Sequence, residues 1–147
     1  ALGGTFDIIH AGHIALLEKG FSISKKVIIG LTSDQFAQNE GKEPLNDFQK
    51  RLSTLQFKIK EKFPNSEFEI VKLDNYFGPA VIEVDVEALV VSAETSSKGE
   101  LLNRLRGEKN HPPTAIVIVP MILAKDGNRI STTRIRNSEI DAQGNIC

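Results

Sequence analysis

Cysteine is almost missing from this chain: a single residue, Cys147, stands at the last position. One thiol can form no disulfide within the chain and no thiolate cluster around a metal, so we expect a reducing compartment, the cytoplasm. Charge of either sign is also not in excess, because 18 basic and 19 acidic side chains leave a net charge of -1. That balance lacks the strongly basic footprint of a nucleic-acid-binding domain, and no nucleic-acid partner is expected. Long apolar runs are lacking too. None approaches the ~18 residues of a membrane-spanning helix, and no basic-then-apolar leader opens the chain, so no membrane partner is expected. The chain begins at Ala1 without an initiating methionine, and we expect residues ahead of it.

The length, 147 residues, fits one domain, taking roughly 100 to 200 residues for each. With 40% hydrophobic and 25% charged residues, the composition is that of an ordinary globular protein and excludes disordered and collagen-like chains. Four short apolar runs rich in β-branched residues read as strands: residues 27 to 32, 68 to 73, 88 to 92 and 115 to 119. Their near-continuous apolar character points to strands covered on both faces, as in parallel sheets. Between them, Phe48, Leu52, Leu55, Ile59 and Phe63 recur at helical spacing, with Asp47 placed to cap the helix and Lys50, Arg51, Lys58 and Lys60 around it. Ile14, Leu17 and Phe21 imply a helix after Gly12, and Leu101, Leu102 and Leu105 another. Residues 38 to 46 read as a surface loop. If residues 1 to 3 end a first strand, the order is β-α repeated five times. We therefore expect an α/β chain: a single Rossmann-like domain with a five-stranded parallel sheet and helices on both faces.

In such sheets the ligand site lies beyond the carboxyl ends of the strands. The first of these ends holds Gly3-Gly4-Thr5-Phe6-Asp7-Ile8-Ile9-His10-Ala11-Gly12-His13. Two imidazoles at a helix start could both reach a phosphate, and the free amides of the helix end would favour an anion. A tight turn with surface histidines, a capped helix, or a metal pair of His10 and His13 with Asp7 explains the spacing as well. Near the other terminus, Ile130-Ser131-Thr132-Thr133-Arg134-Ile135-Arg136 places three hydroxyls before two arginines. There Ser131 can cap a helix whose first turn cradles phosphate oxygens; a capped helix with a solvated basic face is the plain alternative.

Two such starts suit a nucleoside triphosphate, one near the α-phosphate and one on the β and γ phosphates. The usual phosphate and nucleophile motifs are absent. Gly41-Lys42 is preceded by Phe36 instead of the glycine of a P-loop, and no G-x-G-x-x-G or G-x-S-x-G occurs. What remains is phosphate chemistry without a covalent intermediate.

These residues resemble the nucleotidyltransferase superfamily, through Gly4-Thr5-Phe6-Asp7 with His10-Ala11-Gly12-His13 and through Ile130-Ser131-Thr132-Thr133. Within it, Gly30-Leu31-Thr32-Ser33-Asp34, residues 90 to 95 and Asp126-Gly127 are most similar to the phosphopantetheine adenylyltransferases of the archaeal and eukaryotic type. Bacterial members usually carry threonine or a similar residue where His10 stands. Glycerol-phosphate cytidylyltransferases carry Arg-Thr-Glu-Gly where this chain has Asp126-Gly127-Asn128-Arg129.

The resemblance, which spans the chain from 1 to 147 as one domain, implies transfer of AMP from ATP, accompanied by Mg2+, to 4'-phosphopantetheine in coenzyme A synthesis. It implies His13 at the α-phosphate and His10 on neighbouring oxygens as the catalytic pair. Gly4, Thr5, Phe6, Ser92, Glu94, Thr95, Arg106, Ser131, Thr132, Thr133 and Arg134 or Arg136 would join His13 around ATP. Thr5, Lys42, Tyr76 and Phe77 would hold the acceptor. Other outcomes stay open: a flavin mononucleotide, nicotinamide mononucleotide or polyol phosphate acceptor, or an ATP-binding module without turnover.

Overall fold

The structure is a computed structural model that describes residues 1–75, 77 and 86–147, with Glu94 through its backbone alone. Tyr76, the Glu94 side chain and the helix expected between the third and fourth strands lie outside the described residues. In chain order the elements are β1 (Leu2–Gly4), α1 (Ala11–Ile23), β2 (Lys26–Thr32), α2 (Asp34–Asn39), α3 (Phe48–Lys62) and β3 (Glu67–Leu73). Then follow β4 (Ala88–Ser92), a 3-10 turn (Ala93–Thr95), α4 (Ser97–Glu108), β5 (Ala115–Val119) and α5 (Thr132–Arg136).

Among the described residues the paired strands are all parallel, as the apolar runs suggest, but they form two sheets, β1-β2-β3 and β4-β5. This corrects the expectation of one five-stranded sheet. Between the two sheets, the Val90 amide of β4 donates to the Ala1 carbonyl just ahead of β1 at 2.9 Å.

Side chains alternate across each strand, and β4 shows where the helices lie. Val90 joins the core of Leu17 from α1, Ile29 and Leu31 from β2, and Leu55 and Ile59 from α3. Its neighbours Leu89 and Val91 pack with Leu102 of α4. Helices therefore cover both faces. Leu17, Ile29, Leu31, Leu55 and Ile59 are wholly excluded from solvent, each contributing about 1.5–3 kcal/mol relative to exposure. β2 is buried because strands flank it on both sides. The outer strands are less so: in β3 only Leu73 is buried, the rest being exposed or half-buried, and Ile118 of β5 is 54% exposed. An apolar run alone did not distinguish a central strand from an outer one.

Gly30 is required by packing, since a Cβ there would lie 2.4 Å from Leu73 Cδ1. Asp47 caps α3 by accepting the Lys50 amide, and Ser131 caps α5 by accepting the Arg134 amide. The segment after β2 is more ordered than expected. α2 takes up residues through Asn39, with Ser33 Oγ accepting the Phe36 amide at 3.0 Å, so the loop begins later than residue 38. Arg51, one of the basic residues that the sequence places around the apolar positions of α3, is fully buried.

Candidate active site

The chain leaves β1 through Thr5 and turns at Phe6, whose φ of 50° is left-handed and whose ring is buried. That turn brings the next residues back over the carboxyl end of the sheet. Asp7 does not face a metal. Its Oδ2 accepts the Leu45 amide at 2.8 Å, and its Oδ1 accepts the Asn46 amide and side-chain amide, each at 3.0 Å. The carboxylate thus clamps the loop between α2 and α3 against the first turn, which removes the third ligand from the metal-pair alternative. Among the described residues no group of three His, Cys, Asp or Glu could hold an ion.

His10 is the N-cap of α1. Its Nδ1 accepts the Gly12 amide at 3.1 Å, while the His10 amide donates to His13 Nδ1 at 3.2 Å. The Ala11 amide donates to the Ala142 carbonyl at 3.0 Å, and the Ile14 amide to the His10 carbonyl. The first-turn amides expected to meet an anion are therefore already used within the protein. What the helix start offers is the imidazoles: with both Nδ1 atoms accepting, the hydrogen-bond network assigns each ring hydrogen to Nε2.

The two rings stack at a centroid distance of 3.8 Å, and Phe6 supports His13 from 4.9 Å. Both imidazoles are held neutral. Burial, then the positive Arg129, lowers His10 to about 4. Burial, then His10 and Lys42, lowers His13 to about 3, against a hydrogen bond to the Ile8 carbonyl that raises it.

One cavity joins the two signature stretches. Gly4, Thr5, Phe6, His10 and His13 line it from the β1–α1 side, Lys42 from the loop, Ser92 and Thr95 from the end of β4, and Ser131, Thr132, Thr133 and Arg136 from α5. The Ile8 carbonyl ties the halves together, accepting from Thr132 Oγ1 at 3.5 Å. Thr5 Oγ1 accepts from Thr32 Oγ1 at 3.2 Å and from Lys42 Nζ at 3.4 Å, so its own hydrogen can be donated. Ser92 and Thr95 bond each other through their hydroxyls at 3.1 Å. Arg129, which the motif reading passed over, also lines this cavity; its place directly before Ile130 was the available signal. Lys42, Arg129 and Arg136 share its wall with Glu43 and with Asp7, whose carboxylate is taken up by the Leu45 and Asn46 amides, and the cationic excess suits a polyanion.

Other candidates lie elsewhere. Arg134 is not among the lining residues: it ion-pairs with Asp126, reaches Glu139 at 3.5 Å and donates to the Arg129 carbonyl at 2.7 Å. Arg136 donates to the Glu43 carbonyl at 2.8 Å from the cavity wall. Arg106 is fully buried, with Nε donating to the Pro112 carbonyl at 2.9 Å. Phe77 packs beside the Leu89 cluster and lines an adjoining, more apolar recess with Phe36, Ala37 and Leu73. Thr5, Lys42, Ser92 and Thr95 border both spaces.

The model of the family described as cytidylyltransferase-like matches residues 1–138. A phosphopantetheine adenylyltransferase of Methanopyrus kandleri is 36% identical over 140 residues, 95% of this chain and 88% of that protein. One from Methanosarcina barkeri is 41% identical over 149 aligned positions, 99% of this chain and 91% of its own. Among solved structures, a protein of unknown function from Archaeoglobus fulgidus superposes with a TM-score of 0.73 at 34% identity, covering 80% of this chain and 86% of that one.

Proposed function

The chain belongs to the cytidylyltransferase-like family, and from that premise we propose that it transfers AMP from ATP to 4'-phosphopantetheine, giving dephospho-coenzyme A and pyrophosphate. The observation that carries this is the convergence of His10 and His13 with Ser131, Thr132 and Thr133 in one cavity that also holds Thr5 and Lys42. The similarity to named phosphopantetheine adenylyltransferases across nearly the whole chain supports the choice of acceptor. Residues 1–147 act as one nucleotidyltransferase domain, and the cytoplasm is the compartment we propose.

The chemistry asks little of the protein beyond alignment and charge. An oxygen of the acceptor's phosphate attacks the α-phosphorus of ATP, the bond from that phosphorus to the bridging oxygen breaks, and pyrophosphate leaves with the electron pair. The attacking oxygen is already anionic near neutral pH, so no general base is needed. Placing the two substrates in line and meeting charge as it develops account for the rate.

His13 donates from Nε2 to the α-phosphate, exchanging the Ile8 carbonyl that holds this hydrogen in the free protein, and a neutral donor needs no proton uptake to act. His10 donates beside it. Ser131, Thr132 and Thr133 cradle the β and γ phosphates with Arg136, and Ser92 and Thr95 border the nucleoside end. Thr5 and Lys42 grip the acceptor's phosphate, and Phe77 borders the apolar recess that takes its arm. Magnesium enters as part of the Mg-ATP substrate, where it neutralises phosphate charge.

The test is product analysis with Mg-ATP and 4'-phosphopantetheine, beside tubes holding flavin mononucleotide, nicotinamide mononucleotide or glycerol phosphate. Dephospho-coenzyme A with stoichiometric pyrophosphate in the first tube alone is expected. Product in another tube would move the acceptor, and ATP binding without product anywhere would refute the enzyme.

A further inference from the structure

Arg51 projects from the first turns of α3 into the protein and is fully buried, yet the reaction as written does not use it. Its donors reach four different segments. Nε donates to the Asn46 carbonyl at 3.1 Å, Nη1 to the carbonyls of Thr5 at 2.9 Å and Thr32 at 2.8 Å, and Nη2 to Asp34 Oδ1 at 2.7 Å. The guanidinium also lies 5.8 Å from the centre of the Phe48 ring. A buried cation is retained only where its hydrogen bonds are met, and only a planar fork reaches acceptors in so many directions. A lysine ammonium, with three donors on one point, cannot do the same.

Two of these segments carry groups that face the cavity. Thr5 presents its hydroxyl, and Lys42 lies four residues before Asn46, whose carbonyl Arg51 holds while its amide and side chain are held by Asp7. Arg51 thereby fixes, from behind, both sides of the 3.4 Å gap between Thr5 Oγ1 and Lys42 Nζ.

We propose that Arg51 is a positioning residue for the acceptor's phosphate: without touching substrate, it holds Thr5 and the Lys42 loop in the register that grips that phosphate. This rests on the reaction assigned above. The position was hidden in the sequence because Arg51 stands beside the exposed Lys50 on a helix that also carries Lys58, Lys60 and Lys62.

The test compares Arg51→Lys, which keeps the charge, with Asp34→Asn, which removes the charge of one partner at a half-exposed position. Steady-state kinetics with Mg-ATP and 4'-phosphopantetheine should show the acceptor KM of Arg51→Lys raised about tenfold to a hundredfold, as misplacement near 1 Å can cause, with the ATP KM within about twofold. Asp34→Asn should move the same constant less. Combined with Lys42→Ala, the Arg51→Lys effect on acceptor KM should be less than multiplicative, because both act on one grip. Equal rises in both KM values, a lower Tm with unchanged kinetics, or multiplicative factors would overturn the proposal.

Hydrogen exchange supplies a readout independent of turnover. In either variant, exchange at residues 42 to 46 should accelerate while α1 and β2 stay protected; unchanged exchange in the loop would refute the hold. A wild-type protein that makes no dephospho-coenzyme A would refute the reaction instead, and the exchange pattern would still decide whether Arg51 holds the loop. If Arg51→Lys fails to fold, the same two measurements on Asp34→Asn decide.

Discussion

The starts of α1 and α5 look alike in sequence, each a short polar stretch opening a helix at a sheet end, yet the structure equips them differently. At α1 the amides of Ala11, Gly12 and Ile14 are met by Ala142, His10 Nδ1 and the His10 carbonyl, and the imidazoles are what faces the cavity. At α5, Ser131 Oγ takes the Arg134 amide at 3.2 Å, and hydroxyls and Arg136 face the cavity. The contrast separates two tasks. Rigid, neutral, stacked rings suit the atom where charge changes during reaction, whereas hydroxyls and a guanidinium suit phosphates that need only be held.

The sharpest way to break that division is His13→Ala. Turnover should fall on the order of 10²–10³-fold, the usual loss for one donor aimed at a transition state, with the Kd for ATP little changed. Stopped-flow turnover beside equilibrium binding reads both; an equal loss in each would erase the distinction between the two helix starts. Within α5, Arg136→Ala should raise the ATP KM by roughly tenfold or more, as expected for a lost hydrogen bond to a charged group at about 1.5–3 kcal/mol. Arg134→Ala, whose guanidinium is held by Asp126 and Glu139, should leave that KM within about twofold. The reverse order would exchange the two arginines.

The neutrality of the imidazoles predicts a pH signature. Folding lowers His10 to about 4 and His13 to about 3 from an ordinary 6.5, so as pH falls the unfolded chain binds protons first. Their neutral forms therefore favour the folded state least in acid: stability is retained above pH 6.5 and lost as pH drops from there toward 3. Asp34, itself lowered from 3.8, contributes only below that value. Thermal melts between pH 7.5 and 4.5 should slope less in a His10→Gln/His13→Gln variant than in the parent. Identical slopes would mean the rings titrate normally. The smallest effect is expected from Asp47→Ala, which removes the α3 cap and should cost about 1 kcal/mol of stability with kcat unchanged. Ser131→Ala, the corresponding cap at α5, should also weaken ATP.

Much of this was legible beforehand, for reasons that differ by residue. The strands at 88 to 92 and 115 to 119 were found with their observed bounds because β-branched runs ending at a serine turn or Pro120 have few other conformations. Asp47 and Ser131 were legible as caps because their chemistry is local. The division into two sheets was not, since pairing between strands depends on residues far apart in the sequence. Nor was the burial of Arg51: helical period puts it at the edge of the apolar face, and the carbonyls of Thr5, Thr32 and Asn46 with the Asp34 carboxylate hold it inside. Arg134 and Arg136 share one motif, and one helical turn decides which meets Asp126 and which meets the cavity.

The central claim is that the acceptor's phosphate attacks ATP directly while the histidines act as donors, and the stereochemistry at the α-phosphorus tests it most directly. With adenosine 5'-(1-thiotriphosphate) of one configuration as donor and 4'-phosphopantetheine as acceptor, a single in-line displacement predicts inversion in the thiophosphoryl product. Retention would require two displacements through an adenylylated side chain, making an imidazole a nucleophile and contradicting the account.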